Sequence, residues 1–243
     1  MADAVIYVVT CGLDIGSPIT AALSGRGARV AWLSDGSEPP VAEIGNGVTR
    51  FDAGFGARAE LELAFTAARD KLGPPTQVII SALPLAALQP QDIVTLDDEA
   101  WRASCSAAMK GVLYALQASF TQMEGRGGSV VVVGPSLSLA GAPRLVALST
   151  AVEGQRGLVK STARQWGQRG ITVNWVAASA LALSPRFDGL PLPSKADAVM
   201  VALGRPLSLG AEITPVIEFL GSPAGRVMTG ATLLLDGGEW MLP

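Results

Sequence analysis

The chain has 243 residues and a formal net charge of −3, with 49% hydrophobic and 16% charged residues. No basic field exists to hold nucleic acid, and the absence of histidine excludes His triads, His metal sites and His acid–base chemistry. Two cysteines, Cys11 and Cys105, build neither a zinc site nor a disulfide framework, which fits a reducing cytoplasm.

The start, MADAVIYVVT, has no basic region or cleavage site and predicts no signal peptide. Ala4–Thr10 reads as a buried strand and Cys11–Gly16 as a glycine-containing turn. A helix follows over Pro18–Leu23, with Ser17 as its cap and Pro18 in its first position. Ala28–Ser34 is a second strand. Arg58–Lys71 has helical spacing, with Leu61, Leu63, Phe65 and Ala68 on one side. Gln77–Leu83 is a strand and Asp97–Met123 a long helix. Its apolar positions include Cys105, Met109, Val112, Leu113, Leu116 and Phe120. Ser129–Val133, Ile171–Val176 and Ala231–Leu235 are strands, and Ser149–Gln168 and Glu212–Leu220 are helices. Runs such as Val130–Val133 are too short to span a bilayer. Strand–helix–strand units with fully apolar strands predict a parallel sheet covered on both faces. The stretch Ala182–Leu203, with Pro185, Pro191 and Pro193, lacks periodicity and reads as a ligand-covering loop.

The first turn, Thr10-Cys11-Gly12-Leu13-Asp14-Ile15-Gly16, has the place of a phosphate cradle. It holds two glycines, and Asp14 would face two phosphate charges. The favoured reading is a vestigial loop (Thr10, Gly12, Asp14, Gly16) that no longer binds. Asp35, at the end of the second strand, stands where an acidic residue bonds a ribose hydroxyl. Ordinary turn chemistry also puts an aspartate there.

Four landmarks carry a resemblance along nearly the whole chain. They are Asp98-Glu99-Ala100-Trp101, Lys110-Gly111-Val112, Gly170-Ile171-Thr172-Val173-Asn174, and Thr229-Gly230-Ala231-Thr232-Leu233-Leu234-Leu235-Asp236-Gly237-Gly238. On them the chain resembles a degenerate short-chain dehydrogenase/reductase. The resemblance implies a Rossmann-type, doubly wound parallel sheet in three α/β/α layers. It implies one domain over 1–243, with a variable substrate loop at about 182–205.

The family works with a tyrosine, a lysine four residues later, an upstream serine and an asparagine on the preceding helix. Carried over through the landmarks, the serine position is Pro135, the tyrosine position Leu148, the lysine position Val152 and the asparagine position Ala108. None of these side chains transfers a proton. The Pro-Gly after the next strand is replaced by Ala178-Ser179, and the asparagine motif after the fourth strand by Ser81-Ala82-Leu83.

Substitutes are few. Ser136 and Ser138 read as solvated or backbone-bonded, and Ser149 and Thr150 as helix caps. Tyr7 and Tyr114 read as packing residues with a bonded tip. Lys160 reads as surface, Cys105 as inert, and Cys11 as the one reactive thiol. Trp32, Trp101, Trp166, Trp175 and Trp240 form no cofactor box, and the tail around Trp240 packs either on a neighbouring subunit or on its own core.

The helices and terminal strand through which the family associates are kept. The resemblance therefore implies a cytoplasmic, non-catalytic subunit with no metal and no cofactor of its own. Its partner is an active paralogue carrying NAD or NADP, in a heterodimer or heterotetramer, with neither nucleic acid nor membrane involved. The alternative is an enzyme of this fold with non-standard chemistry, or weak NAD(P)-dependent activity, on a hydroxy or keto substrate, acyl-CoA included.

Overall fold

The computed structural model describes residues 4–38, 46–192 and 201–241. Seven parallel strands form one sheet in the order β3-β2-β1-β4-β5-β6-β7. They are β1 (Val5–Cys11), β2 (Arg29–Ser34), β3 (Val48–Asp52), β4 (Gln77–Ala82), β5 (Gly128–Pro135), β6 (Ile171–Ala178) and β7 (Thr232–Leu235). The strand order reverses beside β1, so the crevice between the ends of β1 and β4 is where a ligand of such a sheet lies.

Every residue of β1, β4, β5 and β6 is buried. Helices cover both faces of these strands, and that is why they read as unbroken apolar runs. β3 is different: Thr49, Arg50 and Asp52 interrupt it, and it lies half-exposed at the sheet edge. It has no apolar run, so the periodicity above did not reveal it.

Helix α1 (Gly16–Ser24) follows β1, and α2 (Arg58–Leu72) follows β3. α2 buries Leu61, Ala64, Phe65 and Ala68. Leu63 is 72% exposed, which corrects its place on the buried side: two residues on from Leu61 is about 200° around a helix. The long helix begins as α3 (Asp98–Trp101), passes through a π-turn (Arg102–Ser106) and continues as α4 (Ala107–Met123). Asp97 caps it, its carboxylate accepting from the Ala100 amide at 2.8 Å.

α5 (Val146–Trp166) packs on β6, and the short α6 (Ala180–Leu183) follows β6. A π-turn (Leu209–Ile213) leads into α7 (Thr214–Gly221) before the edge strand β7. Ser149 and Thr150 are the fourth and fifth residues of α5, whose cap residue is Leu145, so neither is a cap. Tyr7 is buried in β1 with its hydroxyl donating to the Gly73 carbonyl at 2.8 Å. Of the aperiodic stretch, residues 193–200, including Pro193, lie outside the described residues. No described helix is long and apolar enough to cross a membrane.

Candidate functional site

The first turn is built by close approach. Gly12 sits at φ 87°, and a Cβ there would lie 1.8 Å from the Leu83 carbonyl oxygen, so only glycine fits. Its amide donates to Ser37 Oγ at 2.8 Å. The chain after β2 is thereby folded back over the turn.

α1 starts two residues earlier than its sequence predicts. Its first residue is Gly16, its cap residue Ile15 has no polar side chain, and Ser17 does not cap it. Pro18, placed above at the first helical position, is third and has no N–H to offer. The open amides are those of Gly16 and Ser17. Glu38 takes both: Oε1 accepts from Gly16 N at 3.1 Å and Oε2 from Ser17 N at 3.2 Å. The Thr10 hydroxyl donates to Oε1 at 2.7 Å and itself accepts from Trp32 Nε1 at 3.0 Å. Glu38 is only 3% exposed. Burial raises its carboxyl pKa, against the lowering effect of these three donors, and the Asp14 charge raises it further.

Asp14 does not face open space for phosphates. Arg186, in the turn after α6, grips it with two bonds of 2.8 Å, and the Ser184 hydroxyl adds a third at 3.1 Å. Arg186 also donates to the Ser37 carbonyl at 3.2 Å. The obstacle expected at Asp14 is therefore neutralised, and the group that fills the seat is Glu38. No spacing rule pointed to it, because Thr10, Gly16, Trp32 and Glu38 meet only once β1, α1 and β2 are packed.

Beside this turn an open groove of about 630 Å³ runs past the ends of β2 and β3, lined in part by Ser34, Asp35, Asp52, Ala53 and Gly54. Asp35 Oδ1 accepts from the Ser37 amide at 3.0 Å and the Ser37 hydroxyl at 2.5 Å. The groove is open to solvent and carries the carboxylates of Asp35, Asp52 and Glu60. The amides of α1, as folded here, do not fit a diphosphate, since Glu38 already holds them. Cys11 is not a reactive thiol. Burial, then the charge and hydrogen bond of Asp35, push its pKa up and disfavour the thiolate. Cys105 is fully buried and its pKa is also raised.

The second half of the crevice lies where β5 ends and α5 begins. Ala108, Leu148 and Val152 have no exposed surface, and Pro135 is buried at the end of β5. Gln155, one turn beyond Val152, donates to the Ala82 and Ala108 carbonyls at 2.9 and 3.0 Å, which ties β4, α4 and α5 together. The serines here are neither solvated nor backbone-bonded as expected. Ser81, Ser136, Ser138 and Ser149 hold buried hydroxyl oxygens with no partner among the described residues. Lys160 is exposed, well away on the outer face of α5.

Known proteins align with almost all of this. The family model described as Enoyl-(Acyl carrier protein) reductase matches residues 13–239. D-threitol dehydrogenase of Mycolicibacterium smegmatis is 26% identical, over 96% of this chain and 92% of that protein. Galactitol 2-dehydrogenase (L-tagatose-forming) of Cereibacter sphaeroides is also 26% identical, over 95% and 92%. The fold is shared with a 3-ketoacyl-(acyl-carrier-protein) reductase from Brucella melitensis complexed with NADH. That match has a TM-score of 0.80 at 18% identity and covers 98% of each chain.

These findings correct two expectations. The silent-subunit reading is overturned, because the relatives that align from end to end are named as dehydrogenases in their own right. The expectation of no cofactor on this chain is overturned with it. The matching model is that of a reductase, whose reaction needs an electron donor, and the Brucella melitensis protein of the same fold holds NADH.

Proposed function

Since this chain belongs to the short-chain dehydrogenase/reductase family, we propose that it is an NAD-linked oxidoreductase acting on a hydroxyl or keto group of a small polyol-like substrate, without the family's tyrosine. The observation that carries this reading is the unpartnered Ser136 hydroxyl, fully buried one residue after the vacated serine position. A buried hydroxyl without a partner is costly. A substrate oxygen placed there completes it, and Ser138 and Ser149 offer further hydroxyls in the adjoining turn and helix.

Neutral hydroxyls orient a substrate oxygen but are poor bases near neutral pH. With Leu148 and Val152 in place of ionisable groups, the proton is exchanged with solvent and turnover is slow. The polyol class is supported by the D-threitol and galactitol dehydrogenases among the relatives. NAD is favoured over NADP by Asp35, Asp52 and Glu60, because three carboxylates on the groove repel a ribose phosphate.

The test is to follow NADH formation while the purified chain is offered threitol or galactitol, and NADH consumption with the matching ketones. Turnover is expected with NAD, about 100-fold or more below that of a tyrosine-bearing relative, and lower again in Ser136→Ala. A folded chain that turns over none of these with NAD or NADP overturns the reading.

A further inference from the structure

The seat and its occupant disagree with a ready nucleotide site, and the disagreement is specific. Both available amides of the first turn of α1 are bonded to one carboxylate, and Pro18 supplies none. Ile19 N is already used, donating to the Ile15 carbonyl at 3.3 Å. The volume above Gly16 is filled as well: a Cβ there would come within 2.3 Å of Trp32 Nε1 and 2.6 Å of Glu38 Oε1. A carboxylate on helix amides makes the same kind of contact as a phosphate. The three described donors to Glu38 are neutral, so among the described residues it is held by the amides and the Thr10 hydroxyl, without a salt partner. Next to this filled seat lies the groove at Asp35 and Asp52, which is open.

We infer that Glu38 is an internal competitor for the diphosphate of an adenine dinucleotide: the seat holds either Glu38 or the diphosphate, and binding swings Glu38 off α1. The inference rests on the reading that the groove takes an adenine nucleotide. A nucleoside needs only the groove and leaves Glu38 in place. A dinucleotide has to replace every bond that Glu38 makes. Arg186 latches the device from the substrate side, since it holds both Asp14 and the Ser37 carbonyl next to Glu38.

Isothermal titration with NADH, adenosine and inorganic pyrophosphate, on the wild-type chain and on Glu38→Ala and Glu38→Gln, tests this. Glu38→Gln keeps the volume and one acceptor oxygen, so it remains informative if the alanine variant does not fold. Losing the charge is expected to tighten NADH about tenfold or more, to create measurable pyrophosphate binding, and to change adenosine affinity less than about twofold. NADH that binds all three proteins equally, or binds the variants more weakly, overturns the competitor while leaving the nucleotide reading intact. Pyrophosphate binding in the variants without any NADH or adenosine binding keeps the competitor and overturns the nucleotide reading. No binding of any probe to any of the three proteins overturns both.

Discussion

The two halves of the crevice at the top of the sheet handle polar groups in opposite ways. Around the first turn the polar side chains of Thr10, Glu38 and Asp14 have partners within the chain: Thr10 serves Glu38 and Trp32, Glu38 serves two amides, and Asp14 serves Arg186. Where β5 meets α5 stand the apolar Pro135, Leu148 and Val152, and the nearby hydroxyls of Ser136 and Ser149 are buried without partners among the described residues. A satisfied network resists a ligand until the ligand reproduces its bonds. An unsatisfied one gains from any oxygen that arrives. So the first-turn half is closed by its own side chains, and under the proposed function the other half gains from a substrate oxygen.

The largest effect should come from giving the substrate half its ionisable groups. The triple variant Pro135→Ser, Leu148→Tyr, Val152→Lys is expected to raise turnover of a polyol about 100-fold or more, the range that positioned acid–base groups contribute. Leu148 and Val152 are fully buried, so the larger side chains are expected to cost about 1–3 kcal/mol of stability from overpacking. Denaturant midpoints should be measured beside the rates. A folded triple variant no faster than wild type breaks the comparison, since turnover is then limited at the first turn.

What was legible in the sequence follows the same division. β1, β4, β5 and β6 stand out because strands buried on both faces are continuous apolar runs. The long helix is legible from its period and its start at Asp97. β3 is not, because an edge strand needs no apolar run. At the site, the apolar character of Leu148 and Val152 is legible directly, since identity alone decides it. The fate of the hydroxyls is not: Ser136 and Ser149 look like ordinary strand-end and helix-start serines, and only packing leaves them without partners. Glu38 is the extreme case. Its bonds span 21 to 28 residues and obey no period. Asp14 is legible as a charge in the loop, but its partner is not, because Arg186 lies 172 residues away in sequence.

The closed half should also respond to pH. Burial raises the folded-state pKa of Glu38. Its contribution to stability is therefore fully present below the unfolded carboxyl pKa, about 4.3, and is lost as pH rises through the folded value. The charged groups facing it are Asp14, which raises the pKa, and Arg186, which pairs with Asp14. Arg50 stacks on Trp32 at 4.8 Å. Glu38→Gln carries no charge at any pH. Its melting temperature relative to wild type is expected to climb as pH rises from about 4.3 through the raised folded value, measured by circular dichroism at constant ionic strength. A difference that stays flat or falls means the carboxylate is not desolvated, and the first turn is then less closed than the comparison holds.

The smallest effects give the sharpest contrast, because one hydroxyl is removed from each half. Thr10→Val deletes a donor to Glu38 and the acceptor of Trp32 Nε1 and leaves both groups buried. It is expected to cost about 2 kcal/mol in a urea titration. Ser136→Ala deletes a buried hydroxyl that bonds nothing among the described residues. It is expected to change stability by less than about 1 kcal/mol, toward greater stability, because an unsatisfied group is removed from the interior. The same variant should lower turnover, so stability and activity move in opposite directions. If Ser136→Ala instead destabilises as much as Thr10→Val, the Ser136 hydroxyl already has a partner in solution. The substrate half would then be as self-satisfied as the nucleotide half, and a substrate oxygen would have no open hydroxyl to complete.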